Sequence, residues 1–330
     1  MAEVLVTGGA GFIGSHVVDH LIAMGKKVIV LDDLSGGFAE NINPNATFIK
    51  GSILNNKLIT SIFENNRIHF IFHLAAYAAE GLSHYIKRYN YSNNVIGSIN
   101  LINAAVNHDI ECFVFTSSIA VYGENPCPMT EKMTPLPVDS YGIAKYAVEK
   151  ELEISHNLFG LNYIIFRPHN VYGERQNIGD KYRNVIGIFM NQIMNGEPLT
   201  IFGDGEQTRA FTYIKDAAPV IAKSIFVEET YNQTFNVGAD EPFSVNQLAR
   251  EVSKAMGVSH KVRHVEEREE VKEAYCSHEK MNKVLNFKAK YQLSEGLRRM
   301  ADWAKRHGTR KSKRFKHLEI RKNLPPLWLE

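Results

Sequence analysis

Short apolar, β-branched runs alternate along this chain with longer stretches whose apolar residues recur every three or four positions. Val4–Thr7, Lys27–Leu31, Ala46–Lys50, Phe70–Leu74, Cys112–Ser117 and Tyr163–Arg167 read as strands. Between them, Ser15–Met24, Leu58–Asn65, Tyr91–Asn107 and Tyr141–Leu158 carry the helical period. Strands that alternate with helices pair in parallel through right-handed crossovers, so the pattern predicts an α/β fold, a Rossmann-like doubly wound parallel sheet.

The rhythm changes after Tyr172. A polar loop, Glu174–Arg183, leads into a helix over Val185–Asn195, a strand and turn at Pro198–Gly205 and an apolar stretch at Arg209–Ile214. A helix over Asp216–Phe226, a strand at Gln233–Val237 and a helix at Val245–Met256 follow. We expect a first domain over residues 1–170, with a returning segment near 207–240. A smaller mixed α/β lobe over 171–330 is expected to complete the molecule.

Composition narrows the class. With 330 residues, 44% hydrophobic and 22% charged, the chain has the profile of a folded globular protein. No run approaches the ~20 apolar residues that span a bilayer, and no signal-like segment precedes the first strand, so a cytoplasmic protein without a membrane partner is expected. Cys112, Cys127 and Cys276 lack the spacing of a disulfide framework or a metal site, so reduced thiols and no metal are expected. The net charge of +2 hides a basic run, Lys305–Lys322, within a C-terminal extension over 305–330. With Phe315 its sole aromatic and no nucleic-acid-binding motif, the run reads as a solvated extension rather than a nucleic-acid contact.

Directly after the first strand stands Gly8-Gly9-Ala10-Gly11-Phe12-Ile13-Gly14, then a helix. Glycines at this spacing let the chain turn sharply and let backbone approach a pyrophosphate at the helix N-terminus. The second strand ends at Asp32, where a carboxylate accepts bonds from ribose hydroxyls and repels a 2′-phosphate, favouring NAD over NADP. The adjacent Asp33 reads either as a turn residue or as that acid. Further on, Tyr141 and Lys145 lie four apart on one helix face, downstream of Thr116-Ser117-Ser118. A nearby ammonium favours a phenolate, which makes Tyr141 a candidate base.

Taken in order, Gly8–Gly14, His73-Leu74-Ala75-Ala76, Thr116–Gly123, Tyr141–Lys145, Arg167–Gly173 and Gly203–Asp216 resemble the extended short-chain dehydrogenase/reductase family, in its nucleotide-sugar epimerase/dehydratase branch. The resemblance implies NAD held by Gly8, Gly11, Phe12, Ile13, Gly14 and Asp32. Ser52, Ile53, Leu74, Ala75, Ala76 and Asn94 would complete the cofactor site with Tyr141 and Lys145. It implies that Ser118 bonds the substrate hydroxyl, Tyr141 accepts its proton and Lys145 contacts the nicotinamide ribose. Asn170, Asn184, Arg209 and Arg268 would hold the substrate's diphosphate. The family also implies a homodimer through helices Tyr91–Asn107 and Tyr141–Leu158, although apolar faces there equally fit burial against the sheet.

Where the dehydratase branch has an acidic pair before Val-Tyr-Gly, this chain has Ile119-Ala120. The minimal Ser118, Tyr141 and Lys145 set suffices for reversible oxidation at one carbon, so the expected reaction is 4-epimerisation of a UDP-hexose, with UDP-glucose and UDP-galactose first. The alternatives are UDP-glucuronate or UDP-N-acetylglucosamine epimerisation, another nucleotide-sugar reductase or dehydratase, and a non-catalytic dinucleotide sensor. Gly51-Ser52-Ile53 replaces the family's Gly-Asp-Ile, and Arg268-Glu269-Glu270-Val271 departs from its Arg-Pro-Gly-Asp. Glu80 either reads the sugar or faces solvent. Tyr275 or Cys276 is expected to gate the space for an N-acetyl group, and a bulky Tyr275 there would favour unsubstituted hexoses.

Overall fold

The computed structural model describes residues 3–268, 270–311, 315–316 and 318–328. Strands β1 (Glu3–Thr7), β2 (Lys27–Asp32), β3 (Thr47–Lys50), β4 (Ile68–His73), β5 (Cys112–Thr116) and β6 (Tyr163–Pro168) occupy the predicted positions to within two residues. They form one sheet with a late strand, Gln233–Val237, in the order β3-β2-β1-β4-β5-β6 and then the late strand, every pair parallel. Crossover helices cover both faces, so successive strand residues alternate between two apolar layers. Val4, Val6, Phe70, Phe72, Val114 and Phe166 face one layer, and Leu5, Ile71, Phe113, Phe115 and Ile165 the other.

Helix α1 (Phe12–Ala23) packs on the first face, and α2 (Asn56–Asn65) on the second. Two short helices, α3 (Glu80–Ser83) and α4 (Lys87–Tyr91), precede α5 (Gly97–Asn107). The predicted helix over Tyr91–Asn107 therefore starts earlier and contains a wide π turn at Ser92–Ile96. Helix α6 (Ser140–Phe159) runs from the Asp139 cap to Gly160, whose φ of 74° ends it.

After β6 come β7 (Val171–Tyr172), α7 (Val185–Met194), β8 (Leu199–Phe202), β9 (Thr208–Ala210) and β10 (Thr212–Tyr213). Helix α8 (Ile214–Lys223) packs back on α1, and the late strand is β11 (Gln233–Val237), beside β6. Strand β12 (Pro242–Ser244) leads through a Ser244/Gln247 capping box into α9 (Val245–Met256). The remaining elements are β13 (Val262–Val265), β14 (Glu273–Ala274), α10 (Glu279–Leu285) and α11 (Leu293–His307).

The expected solvated extension needs correcting. Its first residues are the end of α11, which buries Leu297, Met300, Ala301, Trp303 and Ala304. Further on, Phe315, Leu318, Leu324 and Trp328 pack against Ala79, Leu82, Ile86 and Tyr182. The Glu319 carboxylate accepts the N–H groups of Arg88 and Tyr89 at 2.8 and 2.9 Å, and the Tyr85 hydroxyl donates to the Asn323 carbonyl at 2.7 Å. Apolar burial and backbone pairing thus bind this segment as a strap over α3 and α4. Lys313, Arg314 and His317 of the basic run lie outside the described residues. Among the described residues no helix is long and apolar enough to cross a membrane, and no group of three metal-ligating side chains occurs.

Candidate active site

A cavity of about 1430 Å³ runs along the carboxyl ends of the main-sheet strands and continues into the second lobe. Its first half is a cradle. The chain leaves β1 at Gly8 with φ of 73°, and a Cβ there would stand 2.6 Å from the Ala75 nitrogen. A Cβ on Gly14 would stand 2.1 Å from the Gly8 carbonyl oxygen, so helix and loop can approach only as glycines. Helix α1 opens with Gly11 as an N-cap that has no side-chain bond, which leaves the helix's first N–H groups for an anion at the cavity wall.

Asp32 faces this loop. Its carboxylate accepts the N–H of Ala10 at 3.0 Å and of Leu34 at 2.8 Å, and burial raises it above the ordinary aspartate value despite those bonds. Each oxygen retains a lone pair for a ribose hydroxyl. Asp33 accepts the Ser35 N–H in an exposed turn and also borders the cavity. Ser52, Ile53, Leu74, Ala75 and Ala76 line the same cavity. The cradle fits a dinucleotide: close backbone, free N–H groups and a fixed acid are all in place.

Asn94 does not line the cavity; its neighbour Asn93 does. The Asn94 amide is buried and occupied, accepting the Tyr77 N–H at 2.9 Å and donating to the Tyr77 carbonyl and to Asn90. Its place in the fold is behind the wall, holding the loop after β4. That loop is also fixed by a buried chain in which His73 bonds Thr7 at 2.7 Å and Ser98 at 2.8 Å. Burial, with Lys145 nearby, pushes His73 down to about 3 and keeps it neutral.

Asp139 caps α6 by accepting the Gly142 N–H at 2.8 Å, which sets Tyr141 in the first turn and Lys145 one turn on. Both are buried and reach the cavity. Lys145 donates to the Thr116 carbonyl at 2.7 Å, and its Nζ lies 5.8 Å from the Tyr141 ring centre. Burial lowers Lys145 to about 7, and Glu149 pulls it back up. Burial, then Glu80, raises Tyr141, while the Ser118 hydroxyl and Arg183 pull it down. Ser118 accepts the Ala120 N–H at 3.1 Å, so its hydroxyl proton is directed elsewhere.

Beneath these groups lies a pair that sequence reasoning missed. Glu149 accepts Ser117 Oγ at 2.5 Å and Arg167 Nε at 2.9 Å, with Arg167 Nη2 on its other oxygen at 2.5 Å. Both partners are almost completely buried.

Asn170, Asn184, Arg209 and Arg268, the residues expected to hold the diphosphate, all line the cavity. Asn170 donates to the Ala210 carbonyl at 3.0 Å, and Asn184, with φ of 62°, caps α7 without a side-chain bond. Glu270 stands between the arginines, 3.5 Å from Arg209 and 3.1 Å from Arg268. An anion already sits where the diphosphate is expected. The Glu269 of this motif lies outside the described residues. Neither Tyr275 nor Cys276 lines the cavity; Cys276 is buried against Met129 and Tyr122, and Ala274 forms that part of the wall. The expected gate residues are thus set back from the cavity, and Ala274, paired with Arg209 in β14, is the residue of this stretch that reaches it.

Glu80, left between sugar and solvent by the sequence, lines the cavity. Other walls are announced by no local motif: Tyr77, Tyr85, Tyr182 and Arg183 line it, with Leu324 and Trp328 of the strap. Arg183 pairs with Asp180 at 2.6 Å and stacks on Tyr77.

The profile described as the NAD dependent epimerase/dehydratase family matches residues 4–238. A putative UDP-glucose 4-epimerase of Methanocaldococcus jannaschii is 36% identical over 305 residues, covering 92% of this chain and 98% of that protein. The structure of Thermotoga maritima UDP-glucose 4-epimerase with UDP-glucose is 36% identical, with a TM-score of 0.88, and covers 92% of this chain and 99% of its own. A UDP-N-acetylglucosamine 4-epimerase from Methanobrevibacter ruminantium, in complex with UDP-N-acetylmuramic acid, is 35% identical with a TM-score of 0.83, covering 92% and 98%. With its dinucleotide cradle and its Ser118, Tyr141 and Lys145 in one cavity, this chain belongs to the NAD-dependent epimerase/dehydratase family.

Proposed function

We propose that the chain is a UDP-hexose 4-epimerase that interconverts UDP-glucose and UDP-galactose. The observation that carries this reading is the content of one cavity: Ser118, Tyr141 and Lys145 line it together with the dinucleotide cradle and the Arg209/Arg268 pair. Ile119 and Ala120 line the same space and offer no acid or base for dehydration.

Tyr141 takes the proton of the 4-hydroxyl while Ser118 donates to that oxygen and orients it. The chemistry that NAD supplies when bound is reversible acceptance of a hydride from C4. Lys145, fixed by Thr116, contributes a positive charge that eases ionisation of Tyr141 in a site whose burial opposes it. Arg209 and Arg268 exchange Glu270 for the diphosphate and hold that end while the 4-keto sugar turns over. Tyr141 then returns its proton to the new hydroxyl.

Proton NMR of the anomeric signals, with NAD-supplemented protein and UDP-glucose, tests the reading. Conversion to UDP-galactose that stops at an equilibrium mixture is expected. A 4-keto-6-deoxy product, or no conversion of any UDP-hexose, refutes it.

One observation favours a second substrate. Ala274 lines the cavity while Tyr275 and Cys276 do not, which supports a wall with room for an N-acetyl group, so UDP-N-acetylglucosamine is the next substrate to assay. We also propose a homodimer, because Ile96, Ile143, Ile154, Leu158 and Phe159 are exposed along the α5 and α6 helical run. Light scattering that gives the mass of one chain would refute the dimer.

A further inference from the structure

We infer that Glu80 is a specificity-determining residue of the sugar subsite, whose carboxylate accepts hydrogen bonds from a neutral hexose and turns away a hexuronate. This deepens the epimerase reading and rests on it.

The position follows from the two ends of the substrate. The reacting carbon must lie at Ser118 and Tyr141, and the diphosphate at Arg209 and Arg268. Glu80 lines the same cavity and is felt electrostatically by both ends: its charge opposes ionisation of Tyr141, and the charges of Arg209 and Arg268 act on it. The Ser83 hydroxyl bonds both the Glu80 carbonyl and the Tyr141 N–H, so Glu80 lines the cavity next to the reacting end of the substrate.

Glu80 is also held in place. Ser83 Oγ donates to the Glu80 carbonyl at 2.6 Å and accepts the Tyr141 N–H at 3.1 Å, so one hydroxyl ties the backbone of Glu80 to that of the base. Behind it, a Cβ on Gly81 would meet the Trp328 ring at 3.2 Å, so the strap packs directly against this turn. Among the described residues the Glu80 carboxylate has no hydrogen-bond or ion-pair partner in the chain, and it is exposed to the cavity. Its acceptors are free for a ligand.

The surrounding charges decide which ligand. Asp139 at the start of α6 and Glu270 add negative charge, while Arg209 and Arg268 are engaged by Glu270 and would be taken by the diphosphate. Of the cations near Tyr141, Arg183 is paired with Asp180 and Lys145 is held by the Thr116 carbonyl. A sugar carboxylate entering here would meet the like charges of Glu80, Asp139 and Glu270. Hydroxyl groups would find an acceptor. Burial and Asp139 raise Glu80 to about 7, so the comparison belongs at pH 8, where the carboxylate is charged.

The test compares kcat/KM on UDP-glucose and UDP-glucuronate for the wild-type chain and for Glu80→Gln, with NAD added. Loss of a charge-assisted bond corresponds to a roughly 10- to 100-fold fall on UDP-glucose in Glu80→Gln, with the preference over UDP-glucuronate narrowing about tenfold. An unchanged preference in a folded Glu80→Gln protein overturns the inference. So does a wild-type protein that accepts both substrates equally, a result that needs no variant to fold. A wild-type protein inactive on every UDP-hexose overturns the epimerase reading and this inference with it.

Discussion

Replacing Glu149 by Gln changes two atoms' charge beneath the base and leaves the side-chain shape intact. The carboxylate is the acceptor for both Arg167 and Ser117, and the Arg167 Nη1 already lacks a partner. The variant leaves a buried guanidinium facing an amide whose N–H₂ group must point at it or at Ser117. Breaking a buried ion pair from one side costs about 3–5 kcal/mol. With an unfolding entropy of about 2.1 cal/mol/K per residue, a chain of this length melts roughly 4–7 °C lower. Glu149 also holds Lys145 up against burial, so its removal lowers Lys145 further and moves the alkaline limb of the kcat profile to lower pH. Thermal unfolding by circular dichroism and a pH–rate profile measure the two effects. A melting temperature within about 1 °C of wild type, together with an unmoved alkaline limb, would refute the reasoning.

Tyr141→Phe removes the proton acceptor and is expected to lower kcat by about 10²–10⁴-fold while NAD stays bound, so turnover near wild type would exclude Tyr141 as base. Asp32→Ala removes a charged acceptor fixed by Ala10 and Leu34. It should weaken NAD by roughly 10- to 100-fold in calorimetry, and unchanged affinity would shift the role elsewhere. Acid should destabilise the fold, because burial lowers His16 to about 4, His73 to about 3 and His169 well below its ordinary value. An unfolded chain takes up these protons near 6.5, so below that pH each histidine costs about 1.4 kcal/mol per pH unit until its folded value is reached. Urea midpoints that do not fall between pH 7 and 5.5 would contradict this.

The parts of the molecule governed by local chemistry were legible in the sequence. Periodicity located the six leading strands, and the bounds Gln233–Val237 and Val245–Met256 coincide with β11 and α9. The glycine loop, Asp32 and the Tyr141/Lys145 pair depend on spacing within one turn or one unit, which a sequence displays. Helix α11 carries Leu297, Met300, Ala301 and Ala304 at helical spacing, yet the basic run that overlaps its end drew the segment toward an extension. Glu149 gave no local sign because its role comes from pairing with Arg167 on another element. Likewise Trp328 and Gly81 meet only through tertiary structure, and no pattern near either residue announces the contact. Tyr275 and Cys276 were expected at the cavity, but Ala274 lines it instead, because a one-residue offset beside a short strand leaves no mark in the sequence.

Strand β11 has a consequence for how the molecule assembles. Strand β6 ends at Pro168, but its outer neighbour begins only at Gln233, after α7, α8 and the first small strands of the second lobe. Until β11 arrives, β6 presents a bare row of N–H and C=O groups on an apolar sheet, an edge prone to pairing with other chains. The nucleotide-binding half therefore depends on synthesis of its neighbour for protection. A fragment cut after residue 170 would keep the cradle, the base and the lysine and still tend to aggregate, because solubility and catalytic content reside in different stretches of the chain.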